Sequence, residues 1–132
     1  VFDALTTRYQ NRNATTGLTT GYMQLDNIRY NQSKGILVEA WSPLGSGAVL
    51  KDETLAKIAA KYNKSVAQLC VRFSLQNGIL PLPKSTNVTR IAQNAEVFDF
   101  TITDEDMQTL LQMPLLGFSG FSPENAPADA IA

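Results

Sequence analysis

Residues 35–47 read GILVEAWSPLGSG, and the change of character halfway through them decides the fold. Ile36-Leu37-Val38-Glu39-Ala40-Trp41 is an apolar run of strand length, and Ser42-Pro43-Leu44-Gly45-Ser46-Gly47 breaks it with a proline and two glycines. The pattern recurs. Ile79-Leu80-Pro81-Leu82 runs into Pro83-Lys84-Ser85-Thr86, and Val97-Phe98-Asp99-Phe100 reads as a third short strand. Helical periodicity fills the intervals: Leu55, Ile58, Ala59 and Tyr62 stand at i, i+3, i+4, i+7 within 52–62. Ser65 and Gln68 fit a capping box, opening a helix that turns Val66, Leu69, Cys70 and Phe73 inward and ends at Gly78. Residues 88–96 read as a helix, and Thr103 with Asp106 as a second capping box ahead of Met107, Leu110 and Leu111, with Pro114 beyond. Upstream, 22–34 put Leu25 and Ile28 on one side and stop at Lys34-Gly35. Strands alternating with helices specify βαβ units, a parallel sheet and the α/β class. Ile36–Val38 suits a strand covered on both faces.

The chain has 132 residues, 44% hydrophobic and 17% charged, enough for one globular domain that buries roughly two thirds of its unfolded surface. Eleven Lys+Arg against twelve Asp+Glu give a net charge of -1 and no electrostatic case for nucleic acid or an anionic membrane. One cysteine and no histidine exclude an intramolecular disulfide and any His-dependent triad, and disfavour zinc and copper sites. No apolar run approaches the ~20 residues of a membrane span, and the first residues lack a basic-then-apolar leader, so a cytoplasmic protein is expected. Residues 1–21 form a Thr/Asn-rich, loop-like lead, because those side chains bond their own backbone in turns. Four N-x-[ST] sequons, at Asn13, Asn31, Asn63 and Asn87, are chance matches on this view.

Chemistry is expected where chain leaves the C-terminal ends of the strands. The first junction, 41–47, offers an aromatic face, two hydroxyls and glycines that let backbone N–H groups approach a ligand; composition alone favours a tight surface turn after a buried strand. The second gathers Lys84, Ser85, Thr86 and, one turn into a helix, Arg90 with Asn94 on the same face. A helix start with nearby cations suits a phosphate. The alternative has Ser85 or Thr86 as an ordinary N-cap and Lys84 and Arg90 solvated. Glu39 interrupts a strand, Asp104, Glu105 and Asp106 complement a helix dipole, and Cys70 reads as a small buried hydrophobe.

Together GILVEAWSPLGSG (35–47), LPLPKSTNVTRIAQNAEVFDF (80–100) and TDEDMQTLLQM (103–113) resemble the C-terminal part of aldo-keto reductases. The helix end IRYNQSKGI (28–36) is similar to the family's segment before its sixth strand, and the resemblance covers about residues 24–132. It implies a (β/α)8 TIM barrel that binds NADPH without a Rossmann domain. Residues 22–132 would be the barrel's C-terminal segment, its last three strands and their helices. Trp41 would stack on the nicotinamide, and Ser42, Leu44 and Ser46 would line the pyrophosphate and its ribose, with Gly45 allowing close approach. Lys84, Ser85, Thr86 and Arg90 would hold the 2′-phosphate, and Gln93 and Asn94 would contact adenine.

The family's catalytic aspartate, tyrosine, lysine and histidine lie on earlier strands, and residues 1–30 show no counterpart of them. None of Tyr9, Tyr22, Tyr30 and Tyr62 stands in the tyrosine's motif context. A barrel needs about 250 residues. The implied activity is reduction of aldehydes or ketones to alcohols with NADPH, and the chain alone is expected to be inactive. The alternatives are a truncated non-enzymatic structural or interaction module, and one chain of a reductase completed by a partner. An open piece of barrel leaves strand edges exposed, so a second copy or a complementary chain is expected to cover it. Phe118 and Phe121 in the tail suit either a pocket lining or a core.

Overall fold

The computed structural model describes residues 25–41 and 43–113; the expectations for the 1–21 lead, Ser42 and the tail carrying Phe118 and Phe121 lie outside them. In order come α1 (Leu25–Ser33), β1 (Val38–Trp41), a 3-10 helix (Gly45–Lys51), α2 (Glu53–Lys61), α3 (Val66–Gln76), β2 (Ile79–Leu82), α4 (Val88–Ala95) and α5 (Asp104–Leu111). β1 pairs in parallel with β2, Val38 opposite Ile79 and Trp41 opposite Leu82. The α/β class and the parallel pairing are therefore present.

Local chemistry explains the boundaries. Asp52 caps α2 by accepting from the Leu55 N–H at 2.8 Å. Ser65 and Gln68 form the full reciprocal box at the start of α3. Gly78 ends that helix at φ +70, a conformation costly for any residue with a side chain. A Cβ there would also meet Gln32 Nε2 at 2.7 Å. That amide instead donates to Asn77 O at 2.8 Å and Gly78 O at 3.2 Å, so α1 holds the turn into β2.

Two apolar clusters result. Val38, Ala40 and Ile79 on one sheet face bury against Ile28 of α1. The larger cluster joins Leu55, Ile58 and Ala59 of α2 to Leu69, Cys70 and Phe73 of α3, with Val49, Ile102 and Leu110. Each fully buried leucine there contributes roughly 1.5–3 kcal/mol of transfer free energy. The coverage expected on both faces of Ile36–Val38 is not found. Ile36 and Leu37 are exposed and precede the strand, and Leu80 and Leu82 on the sheet's other face are 39% and 47% exposed. Alternation sends successive side chains to opposite faces, and among the described residues helices cover only one.

The third strand is also corrected: Val97–Phe100 has no ladder. Side chains bond the backbone groups that flank it instead. Lys64 Nζ and Gln68 Nε2 both donate to Glu96 O at 3.2 Å. Gln76 accepts from the Ile102 N–H at 2.7 Å and donates to Ile102 O at 3.1 Å, as a neighbouring strand would. Val97 and Ile102 are buried while Phe98 is exposed, so the apolar residues mark a segment laid over α3.

The second capping box is half present. Thr103 Oγ1 accepts from the Asp106 N–H at 3.3 Å, but the Asp106 carboxylate turns inward. It accepts from Lys61 Nζ and from Tyr62 Oη, each at 2.6 Å, and Tyr62 Oη accepts the Thr103 N–H at 3.0 Å. The tyrosine replaces the reciprocal arm and joins α5 to the end of α2. The Lys61 ammonium, then the Tyr62 hydroxyl, hold the Asp106 carboxyl below its ordinary 3.8. Lys61 is largely exposed, so solvent screens the long-range attraction; the partly buried hydrogen bonds from Lys61 and Tyr62 carry most of the effect. A carboxyl pKa lowered on folding stabilises above the unfolded value and loses that contribution as pH falls through the folded one. Asp106→Asn should therefore cost about 1–2 kcal/mol at neutral pH. Urea unfolding at several pH values should show the gap to wild type closing below 3.8.

Candidate functional site

Parallel pairing places the exits of β1 and β2 at one end of the sheet, so the two junctions become neighbours. After β1, Gly45 and Gly47 take φ of +51 and +90, and the Gly47 N–H bonds Leu44 O at 2.8 Å as the 3-10 helix begins. After β2, Ser85 Oγ accepts from the Asn87 N–H at 3.1 Å, and Asn87 Oδ1 accepts from the Arg90 N–H at 3.1 Å. Asn87, rather than Ser85 or Thr86, is thus the N-cap of α4. Asparagine one residue nearer the helix reaches the third N–H with the right geometry, and Ser85 orients it.

A cleft of about 300 Å³ opens between these junctions. It is lined by Leu44 and Leu50 from the first, Lys84, Ser85, Arg90, Gln93 and Asn94 from the second, and Ser65, Val66 and Ala67 at the start of α3. Six of the eleven residues expected at a cofactor site therefore share one cavity. Thr86 is exposed outside the lining, and Gly45 is buried beside it. Trp41 ends β1, opposite Leu82; its side chain, Ser42 and the side chain of Ser46 lie outside the description. Ser65, Val66 and Ala67 were not anticipated. The available signal was the capping box, because a helix leading into a parallel strand begins at that strand's C-terminal end.

Among the described residues the lining carries two cations and no carboxylate. Among the described residues, the ion pairs are Lys61–Asp106 and Lys64–Asp99, neither of which uses Lys84 or Arg90. Two cations, four uncharged polar side chains and apolar walls from Leu44, Leu50, Val66 and Ala67 fit an anionic ligand with a flat apolar part. A phosphorylated nucleotide has that chemistry. Among the described residues no cluster of three or more His, Cys, Asp and Glu could hold a metal, and no helix is long and apolar enough to cross a membrane.

Comparison with known proteins gives the class. The profile of the Aldo/keto reductase family matches residues 22–113, and the chain belongs to that family. YtbE, an oxidoreductase of Bacillus subtilis (strain 168), is 53% identical over 87 residues, 66% of this chain and 31% of YtbE. The glyoxal reductase of the same organism is 48% identical over 81 residues, 61% of this chain and 29% of that enzyme. The matched stretch thus spans about a third of these curated relatives. Among solved structures, a Gox0644 mutant in complex with NADPH superposes with a TM-score of 0.74 at 38% identity, over 83% of this chain and 40% of that one. A Bombyx mori aldo-keto reductase in complex with NADP gives 0.66 at 38% identity, over 72% of this chain and 34% of that one.

Cys70 lies outside this cleft. It is fully buried in the larger core, and burial pushes its thiol up to about 12. A protonated, enclosed thiol is a poor nucleophile. Iodoacetamide at pH 8 should leave Cys70 unmodified in the folded chain and alkylate it in 6 M urea, as mass spectrometry would record.

Proposed function

We propose that this chain supplies the NADPH-binding part of an aldo-keto reductase that converts aldehydes or ketones to alcohols. The observation that carries the reading is the cleft, where Lys84 and Arg90 face one cavity with no acidic residue among the described residues of its lining. In this reading Lys84, Ser85, Thr86 and Arg90 hold the 2′-phosphate, with the Asn87-capped start of α4 adding its positive end. Gln93 and Asn94 contact adenine. Ser42, Leu44 and Ser46 line the pyrophosphate and ribose, Gly45 admits them closely, and Trp41 stacks on the nicotinamide. The cofactor, when bound, supplies hydride to the carbonyl carbon.

No residue of this chain is assigned to proton donation. The 132 residues contain no histidine, and Tyr62 is committed to Asp106 and Thr103. The uncovered sheet face with Leu80 and Leu82 supports completion by further barrel strands, from a second copy or a complementary chain bearing the catalytic groups. By this account the isolated 132 residues bind cofactor and reduce nothing, and the completed reductase works in the cytoplasm.

Titrating the chain with NADPH and following the fluorescence of Trp41, the single tryptophan, tests the reading. Saturable quenching is expected, tighter for NADPH than for NADH. Arg90→Ala should weaken NADPH by about tenfold to a hundredfold, the equivalent of one charge-assisted hydrogen bond of ~1.5–3 kcal/mol, and leave NADH nearly unchanged. A folded chain that shows no quenching at millimolar cofactor would instead favour a non-enzymatic structural module.

A further inference from the structure

Helix α4 carries Arg90, Gln93 and Asn94 into the cleft, yet it buries none of its eight residues. Val88 and Ile91 on its apolar side are 81% and 52% exposed. Apolar packing therefore does not fix its position, although the cleft needs Arg90 held in register with Lys84. Polar contacts do the fixing, and they converge on one side chain. Gln68 is 7% exposed and uses both ends of its amide. Its Oε1 accepts from the Ser65 N–H at 3.0 Å and from Ser65 Oγ at 3.1 Å, completing the cap of α3. Its Nε2 donates to Gln93 O at 3.1 Å and to Glu96 O at 3.2 Å, the carbonyls at the end of α4. Lys64 reinforces the second carbonyl from the more solvated side.

We propose that Gln68 is the positioning residue of the cofactor cleft: it ties the end of α4 to the capped start of α3 and so sets where Arg90, Gln93 and Asn94 stand. It touches no ligand in this account. The inference rests on the cofactor reading for its effect on binding, whereas the tie itself is a property of the two helices and is measured separately.

The two ends of the amide do different things, so they can be separated. Gln68→Glu keeps an acceptor for the Ser65 N–H, since glutamate completes a capping box as well as glutamine does. It also puts a carboxylate against two carbonyls that have lost their donor. Gln68→Met removes the tie without burying a charge, and Ser65 Oγ still caps the backbone N–H of residue 68. In both variants, hydrogen exchange should accelerate in α4 over residues 91–95 while α3 over 69–76 stays protected. NADPH should bind about tenfold more weakly, as expected when an aligned binding group is displaced, and the preference for NADPH over NADH should shrink towards unity. The proposal is overturned if both variants keep α4 protection and the NADPH preference of wild type. It is equally overturned if α3 and α4 lose protection together with both cofactors weakened alike, because that is global destabilisation. If wild type binds no cofactor, the exchange pattern still decides the tie, and the cofactor reading alone has failed.

Discussion

The parallel pairing of β1 with β2 is the constraint on which the rest depends. Two strands pointing the same way cannot be joined by a tight turn; the chain must travel back along the sheet before the second begins. Here residues 42–78 make that return, and they contain the 3-10 helix, α2 and α3, which build most of the larger core. The same pairing brings both strand exits to one end, where Trp41 stands opposite Leu82. A ligand cleft at that end needs no separate device, since the loops leaving neighbouring parallel strands are already side by side. The core and the site thus follow from one hydrogen-bond ladder four residues long.

Much of this was legible because the deciding signals are local. The reciprocal Ser65–Gln68 box, the stop at Gly78 and the i, i+3, i+4 stripe of Leu55, Ile58 and Ala59 involve residues within a turn or two of each other. What failed involved partners far away in sequence. Asp106 has the spacing of a capping-box acid, but Tyr62, 44 positions earlier, takes its carboxylate and satisfies the Thr103 N–H itself. Val97–Phe100 has the apolar content of a strand, yet amides on α3 serve the backbone at Glu96 and Ile102. A strand is defined by its partner, and composition does not name one.

The candidate site shows the same division. Lys84, Ser85, Arg90, Gln93 and Asn94 lie within eleven positions, so their convergence needs only one loop and one helix. Leu44 joins them because of the parallel ladder, which the alternation of elements anticipates. Ser65, Val66 and Ala67 complete the cleft through a third element, and their residue types alone carry no hint of a ligand. The N-cap fell to Asn87 because the oxygen one residue closer to the helix wins when several candidates stand in a row, and the serine before it then serves the cap.

The two ways of holding a helix in this chain have different consequences. α2, α3 and α5 are held by shared apolar burial, which is non-directional and tolerates small slides at modest cost. α4 is held through directed hydrogen bonds to its last carbonyls, and a slide of one ångström breaks them outright. A helix that presents a guanidinium and two amides to one cavity gains from the second arrangement, because charge-assisted bonds reward direction. The cost is that α4 has no apolar reserve: its stability and its alignment rest on the same few polar groups. Lys64 shows how tightly that end is organised, since its ammonium bonds Glu96 O and the Asp99 carboxylate together, closing the chain after α4 onto the start of α3. Apolar area therefore sets whether this chain folds, and a small number of directed amide and ammonium contacts sets where α4, which buries no residue, stands.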